Sequence, residues 1–182
     1  NSMTVVPTQP QSQELTEALI RVRLSKALKD VFRVMLRRQV DLCDQSAQGE
    51  SALVPTSGTG EALPTHVLGT VGYVGKLNGA FNLYVTEEFA TALTRQLLRA
   101  NEHYTKRTAE TAITDAIGEI TNMASGVFKN SLAANGFTCR LTTPKVFRCR
   151  LGTMEPTFTA NRYVYHFNSA ESRVVVELLF RA

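Results

Sequence analysis

The stretch Asp115-Ala-Ile-Gly-Glu-Ile-Thr-Asn-Met-Ala-Ser-Gly126 sets the reading of the whole chain. At about 100° per residue, Ile113, Ile117, Ile120, Ala124, Val127 and Phe128 share roughly 100° of helical arc. Asp115, Glu119, Asn122 and Gly126 share about 60° on the opposite side. Such a helix must bury its apolar side on a second layer, which the remaining sequence has to supply. The core is expected to claim none of the four residues on the other side. Asn and Gly together cost a helix about 1 to 1.5 kcal/mol relative to alanine at both sites. Singly, Glu119 and Asn122 would read as ordinary surface and Gly126 as a packing contact. Two unfavourable residues on one strip favour a surface that meets another molecule.

The motif helix is predicted over residues 109–134, stopping near Asn135-Gly136, where glycine allows a left-handed exit. Before it, residues 67–77 and 80–85 have strand character and flank Asn78-Gly79, a strong hairpin signal. Thr86 is placed to cap a helix running to about residue 101, with Glu87 and Glu88 in its first turn and Phe89, Leu93 and Leu97 on its buried side. A long first helix is predicted over residues 14–40. Residues 44–64, rich in Ser, Gly, Gln and Pro, read as a loop with at most one short strand at its start. Residues 102–108 form a polar connection. The last third is strand-like over residues 138–150, with a break at Pro144, then 157–167 and 173–181, the final pair joined through Asn168-Ser169-Ala170-Glu171. Residues 1–12 carry two prolines and no periodicity, and Asn1-Ser2 before Met3 has the look of a vector remnant, so this segment is left outside the fold. Residues 13–182 then make one domain. Both halves read as a long helix followed by about three strands, a weak internal repeat. The class is α+β, with long helices packed on a largely antiparallel sheet.

Composition narrows the function. At 43% hydrophobic and 20% charged residues the chain is ordinary for a globular protein. No apolar run is long enough to cross a bilayer and no signal sequence opens the chain, so a cytoplasmic location is expected, without membrane insertion. Cys43, Cys139 and Cys149 are widely spaced and read as reduced thiols; with His66, His103 and His166 also scattered, no metal site is expected. No nucleophile elbow or phosphate loop is present. The net charge of +4 comes largely from Arg21, Arg23, Lys26, Lys29, Arg33, Arg37 and Arg38. Nucleic acid is one reading of that stripe. A solvated helix face is favoured, because Leu24, Leu28, Val31, Phe32 and Met35 form the opposite stripe. Attraction to an acidic partner surface is a third reading.

Asp115, Glu119, Asn122 and Gly126 resemble the signature of the CheC/CheX family, phosphatases of bacterial chemotaxis, in which Asp or Ser is followed at fixed intervals by Glu, Asn and Gly. The helix and strand order extends the likeness to nearly the whole chain from residue 14, since that family is known for a pseudo-duplicated domain. CheC-like members carry the Glu-x-x-Asn pair on both long helices, and CheX-like members only on the later one. Here Asp30 is followed by Arg33 rather than Asn, so the chain looks CheX-like. The resemblance implies dephosphorylation of the aspartyl phosphate of a CheY-like response regulator, which ends the chemotaxis signal. Asn122 would orient the attacking water, and Glu119 would pair with the partner's lysine. Gly126 would let the partner's backbone come close, with Asp115 a candidate for docking. Magnesium would belong to the partner's site, this chain having no cofactor of its own, and a homodimer is implied.

Spacing by i, i+3 makes Glu119 and Asn122 neighbours on one face. A carboxamide offers both a donor and an acceptor, so it can hold a water without a particular protonation state. Positioning would then carry the rate gain. The rival readings are a receiver-binding adaptor without hydrolysis and a structural module of the flagellar switch, as in the middle domain of FliM. A switch component would usually bring a further C-terminal domain, whereas this chain ends in a strand, which disfavours that reading.

Overall fold

The computed structural model describes residues 14–43, 65–100, 109–150, 160–170 and 172–181. Within them the chain runs α1 (Glu17–Leu36), β1 (Val40–Leu42), β2 (Thr65–Gly75), β3 (Gly79–Thr86), α2 (Glu87–Ala100), α3 (Ala109–Ala133), β4 (Cys139–Leu141), β5 (Lys145–Arg150), β6 (Asn161–Ser169) and β7 (Arg173–Phe180). The seven strands form one antiparallel sheet in the order β1-β6-β7-β3-β2-β4, and β5 also pairs with β2. The expected α+β class and the pseudo-duplication are both visible in that order. The first half contributes β1, β2 and β3, the second β4, β6 and β7, and each half's short first strand pairs with the other half's next strand. The seam between halves is β3 on β7.

Alternation along the strands builds the core. Val67, Val71 and Tyr73 of β2, Phe81, Leu83 and Val85 of β3, and Val174, Val176, Leu178 and Phe180 of β7 pack in one cluster with the apolar faces of the three helices. From α1 that cluster takes Ile20, Leu24, Leu28, Val31 and Phe32, and from α3 Ile113, Ile117, Ile120, Ala124 and Phe128.

Caps define the helix ends. The Thr16 hydroxyl accepts from the Leu19 N–H, and Thr86 does the same for Phe89. Gly136, at φ 87°, provides the left-handed exit of α3. The first helix ends at Leu36, short of the expected residue 40. Arg37 adopts φ 49° and its N–H returns to Arg33, so the chain turns out of the helix there and Val40 enters β1. Val40 lies at helical spacing from Leu36, so periodicity alone could not separate the two outcomes.

The β2–β3 hairpin is present, but Asn78-Gly79 is not its two-residue turn. Gly79 already pairs with Tyr73, and the reversal runs over the residues between them. Asn78 closes the turn by accepting from the Gly75 N–H and donating to the Gly75 carbonyl. A Cβ on Gly79 would lie 1.9 Å from the Leu179 carbonyl oxygen, so close approach of β7 sets this glycine. The segments 1–12, 44–64 and 102–108, and residues 157–159 at the start of the strand expected over 157–167, lie outside the described residues.

Among the described residues, the sheet face away from the helices holds a buried charge at the seam. Glu177, 4% exposed, accepts from Asn82 Nδ2 at 2.9 Å, Tyr84 Oη at 2.7 Å and Arg162 Nε. Burial, and then the Glu177 carboxylate, push the Tyr84 phenol far up, so it stays a donor. Glu177→Ala should lower the unfolding free energy by about 3 kcal/mol, since a buried charge pair loses one partner and two donors lose their acceptor. Glu177→Gln, which keeps an acceptor oxygen, should lose less; denaturant titration of both variants measures the difference.

Candidate functional site

α3 packs close against β2 at two contacts one helical turn apart. At the first, a Cβ on Gly69 would fall 2.0 Å from Thr121 Oγ1 and 3.0 Å from Thr121 Cβ. Only glycine leaves room for the helix at this height. The fully buried Thr121 hydroxyl donates to the Ile117 carbonyl at 2.6 Å. At the second, the buried Tyr73 hydroxyl donates to the Ser125 carbonyl at 3.2 Å. Burial holds the Tyr73 phenol well above its ordinary range, so it remains protonated. The Ser125 hydroxyl donates in turn to the Asn122 carbonyl at 3.0 Å. β6, which takes the place of β2 in the other half, faces the helices with Tyr163, Tyr165 and Phe167 and has no glycine.

β5 braces the same helix from the side. Gly118 faces Val146, whose Cγ2 would lie 3.6 Å from an added Cβ. Arg148 pairs with Glu87 at 3.0 Å and Glu110 at 2.9 Å, tying β5 to the first turns of α2 and α3. These exposed pairs contribute little energy and mainly fix direction.

The four residues singled out by the sequence lie on one helix, with unequal exposure. Glu119 and Asn122 are exposed and one turn apart. Met123, 44% exposed, adds an apolar side chain next to Asn122. Asp115 and Gly126 are half-buried, which corrects the expectation that the core claims none of the four. One Asp115 carboxylate oxygen is buried, and Gly126 lies beside Leu141 of β4. A straight helical projection could not register β4 closing over that flank. A Cβ on Gly126 would still stand 3.8 Å from Leu141 Cδ1, an ordinary contact, so packing within this chain does not require glycine there. Gly69, Tyr73, Thr121 and Ser125, which hold the site in place, went unnoticed in the sequence; a glycine inside the β2 pattern was the available signal. Among the described residues no three His, Cys, Asp or Glu side chains converge as metal ligands, and no helix is long and apolar enough to cross a membrane.

One helix seated on a pseudo-duplicated antiparallel sheet, offering a Glu-x-x-Asn pair to solvent, is the arrangement that the resemblance to the CheC/CheX family implies. The family described as "Chemotaxis phosphatase CheX" matches residues 67–168, more than half of the sequence. The chain belongs to the CheX family. The fold is similar to a chemotaxis protein CheX from Desulfovibrio desulfuricans, with TM-score 0.71 and 21% identity over 89% of this chain and 99% of that one. It is also similar to chemotaxis protein CheX from Vibrio vulnificus, with TM-score 0.68 and 23% identity over 93% and 100%. A third similar structure is a complex of CheX with CheY, BeF3 and Mg2+ from Borrelia burgdorferi, with TM-score 0.63 and 17% identity over 90% and 98%. No curated protein sequence matches the chain significantly.

The seating of α3 can be tested directly. Gly69→Ala should cost about 2 kcal/mol by overpacking. Thr121→Ala in the same chain should return part of that loss by removing the nearest atoms. A double-mutant cycle on unfolding free energies reads a coupling of that sign.

Proposed function

We propose that the chain is a phosphatase for the aspartyl phosphate of a CheY-like receiver domain. The observation that carries the reading is the exposed Glu119 and Asn122 pair, one turn apart on a helix held rigidly by β2 and β5. Asn122 reaches beside the phosphoryl group, its carboxamide accepting from and donating to a water in line with the bond to be broken. Glu119 pairs with a lysine of the partner, so that charge complementarity fixes the register of the two proteins. The water attacks phosphorus, the aspartyl carboxylate leaves, and inorganic phosphate is released. The divalent metal and much of the electrostatic stabilisation belong to the receiver domain, which is why this chain needs no metal of its own. Support for the partner class comes from family membership and from the similar CheX–CheY complex. The resemblance further implies a homodimer, which light scattering of the purified protein would test.

Gly126 deepens the reading. Because the fold leaves room for a methyl group there, the glycine serves approach from outside. Gly126→Ala should therefore raise helix stability by about 0.5 to 1 kcal/mol while weakening turnover, an opposition that thermal melts and activity assays read separately.

The central test follows decay of a phosphorylated receiver domain with magnesium present. The protein should accelerate decay, and Asn122→Ala should remove about 100-fold of the acceleration, with Glu119→Ala reducing it as well. Unchanged decay across several receivers would end the enzymatic reading; binding of the phosphorylated receiver without acceleration would make the chain an adaptor. If both variants match the wild type, the site lies elsewhere.

A further inference from the structure

The edge of the sheet beside α3 is interrupted. β4 pairs with Tyr73, Val74 and Gly75 of β2, and β5 pairs with residues 65–70, so the edge breaks between them over Thr142, Thr143 and Pro144. At Gly72 the Thr142 N–H donates to the carbonyl at 2.9 Å, and Thr142 Oγ1 accepts from the Gly72 N–H at 2.8 Å. A hydroxyl stands here in the place of a ladder carbonyl, and the residues that follow leave the sheet. A Cβ on Gly72 would lie 3.0 Å from Thr142 Cγ2, so the glycine keeps room for this threonine. Thr142 and Thr143 are both exposed. Interruptions of an edge recur next to active sites, where they re-aim side chains.

The break stands level with Asn122. On one side of it Leu141 of β4 lies against Gly126, and on the other Val146 of β5 lies against Gly118. Asn122 is midway between those two glycines along α3, about one turn from each. Gly118, with β5 behind it, is about 40° round the helix from Asn122 in one direction, and Met123 is about 100° round in the other. Met123 is 44% exposed and an i, i+4 neighbour of Glu119. The Glu119 and Asn122 pair is therefore a crest with a hydroxyl shoulder on one flank and a thioether shoulder on the other.

We propose, building on the phosphatase site at Glu119 and Asn122, that these two shoulders seat the receiver domain: Met123 packs on one rim of its phosphorylation cleft, and Thr142 with Thr143 contacts the other. A doubly wound domain of the receiver kind carries its site in a crevice at the carboxyl ends of its strands. A helix about 10 to 12 Å across that lowers a side chain into such a crevice meets the rim on both flanks. Two side chains are also too small a contact, since a specific interface engages about 20 to 30 residues on each side. The flexible thioether of Met123 suits an uneven apolar wall. The Thr143 hydroxyl, outside the ladder, suits the backbone groups of a loop. Both shoulders are uncharged, so neither competes with Glu119 for a lysine of the partner.

The test titrates a panel of CheY-like receiver domains, charged with beryllium fluoride and magnesium, against the protein and measures KM and kcat for dephosphorylation beside the affinity. Met123→Ala and Thr143→Trp should each weaken binding and raise KM by about tenfold, leaving kcat within about twofold. Met123→Leu should retain wild-type affinity. Val22→Glu, on α1 toward the other end of the sheet, should leave both constants unchanged. All four positions are exposed or on the surface, so thermal melts should move little. If the wild type binds a charged receiver without hydrolysing its phosphorylated form, weaker binding by the two variants still supports the docking surface, and only the phosphatase reading fails. Four results would overturn the proposal: no binding of any charged receiver, unchanged affinity in Met123→Ala and Thr143→Trp, an equal loss in Val22→Glu, or self-association of the free protein that either variant abolishes.

Discussion

The height at which α3 rests on β2 governs the rest of the molecule. An ordinary residue at position 69 would hold the helix away from the sheet by the size of a side chain, and Thr121, Ser125 and the strip around Asn122 would all shift outward with it. Because Gly69 removes that spacer, the buried Tyr73 hydroxyl of β2 reaches the Ser125 carbonyl of the helix, while Thr121 and Ser125 donate to carbonyls of α3 itself. The Tyr73 bond adds about a kcal/mol, but its larger effect is geometric, since with the Gly69 contact it sets the height and rotation of α3. In the proposed function, the exposed Glu119 and Asn122 pair needs such a base, because a displacement of about 1 Å is enough to spoil alignment.

The two halves of the domain have used the same architecture differently. In the second half α3 is seated on a glycine and keeps its outer face acidic and amidic around Glu119 and Asn122. In the first half α1 faces aromatic residues of β6, and its outer face is strongly basic, with Lys26, Asp30 and Arg33 linked to one another. A duplicated fold thereby offers two surfaces of opposite charge on one rigid body. The first helix carries no Glu-x-x-Asn pair, and its surface has a different electrostatic character.

Much of this was legible in the sequence where periodicity and turn chemistry speak locally. The long helices, the capping by Thr86, the exit at Gly136 and the strand-rich final third all follow from patterns a few residues long. The Glu119 and Asn122 strip was legible for the same reason, as both positions follow from helical geometry. What escaped depends on contacts between distant segments. Asn78-Gly79 marked a hairpin correctly, yet Gly79 is small because Leu179 of β7 passes against it. Gly69 answers to Thr121, and the half-burial of Gly126 to Leu141. Arg37 ended α1 through a backbone conformation that its residue type does not announce.

The exchange of strands between the halves has a consequence for how the chain acquires its structure. β1 finds its ladder partner in β6, β2 finds β4 and β5, and the seam joins β3 to β7. Neither half can complete its own sheet. A growing chain therefore leaves an edge of β2 unpaired until β4 and β5 emerge, β1 until β6 and an edge of β3 until β7, and the central ladder can close only across a long separation in sequence. Folding of this domain is expected to be a late, whole-chain event, and its most aggregation-prone form is the one that lacks only β7.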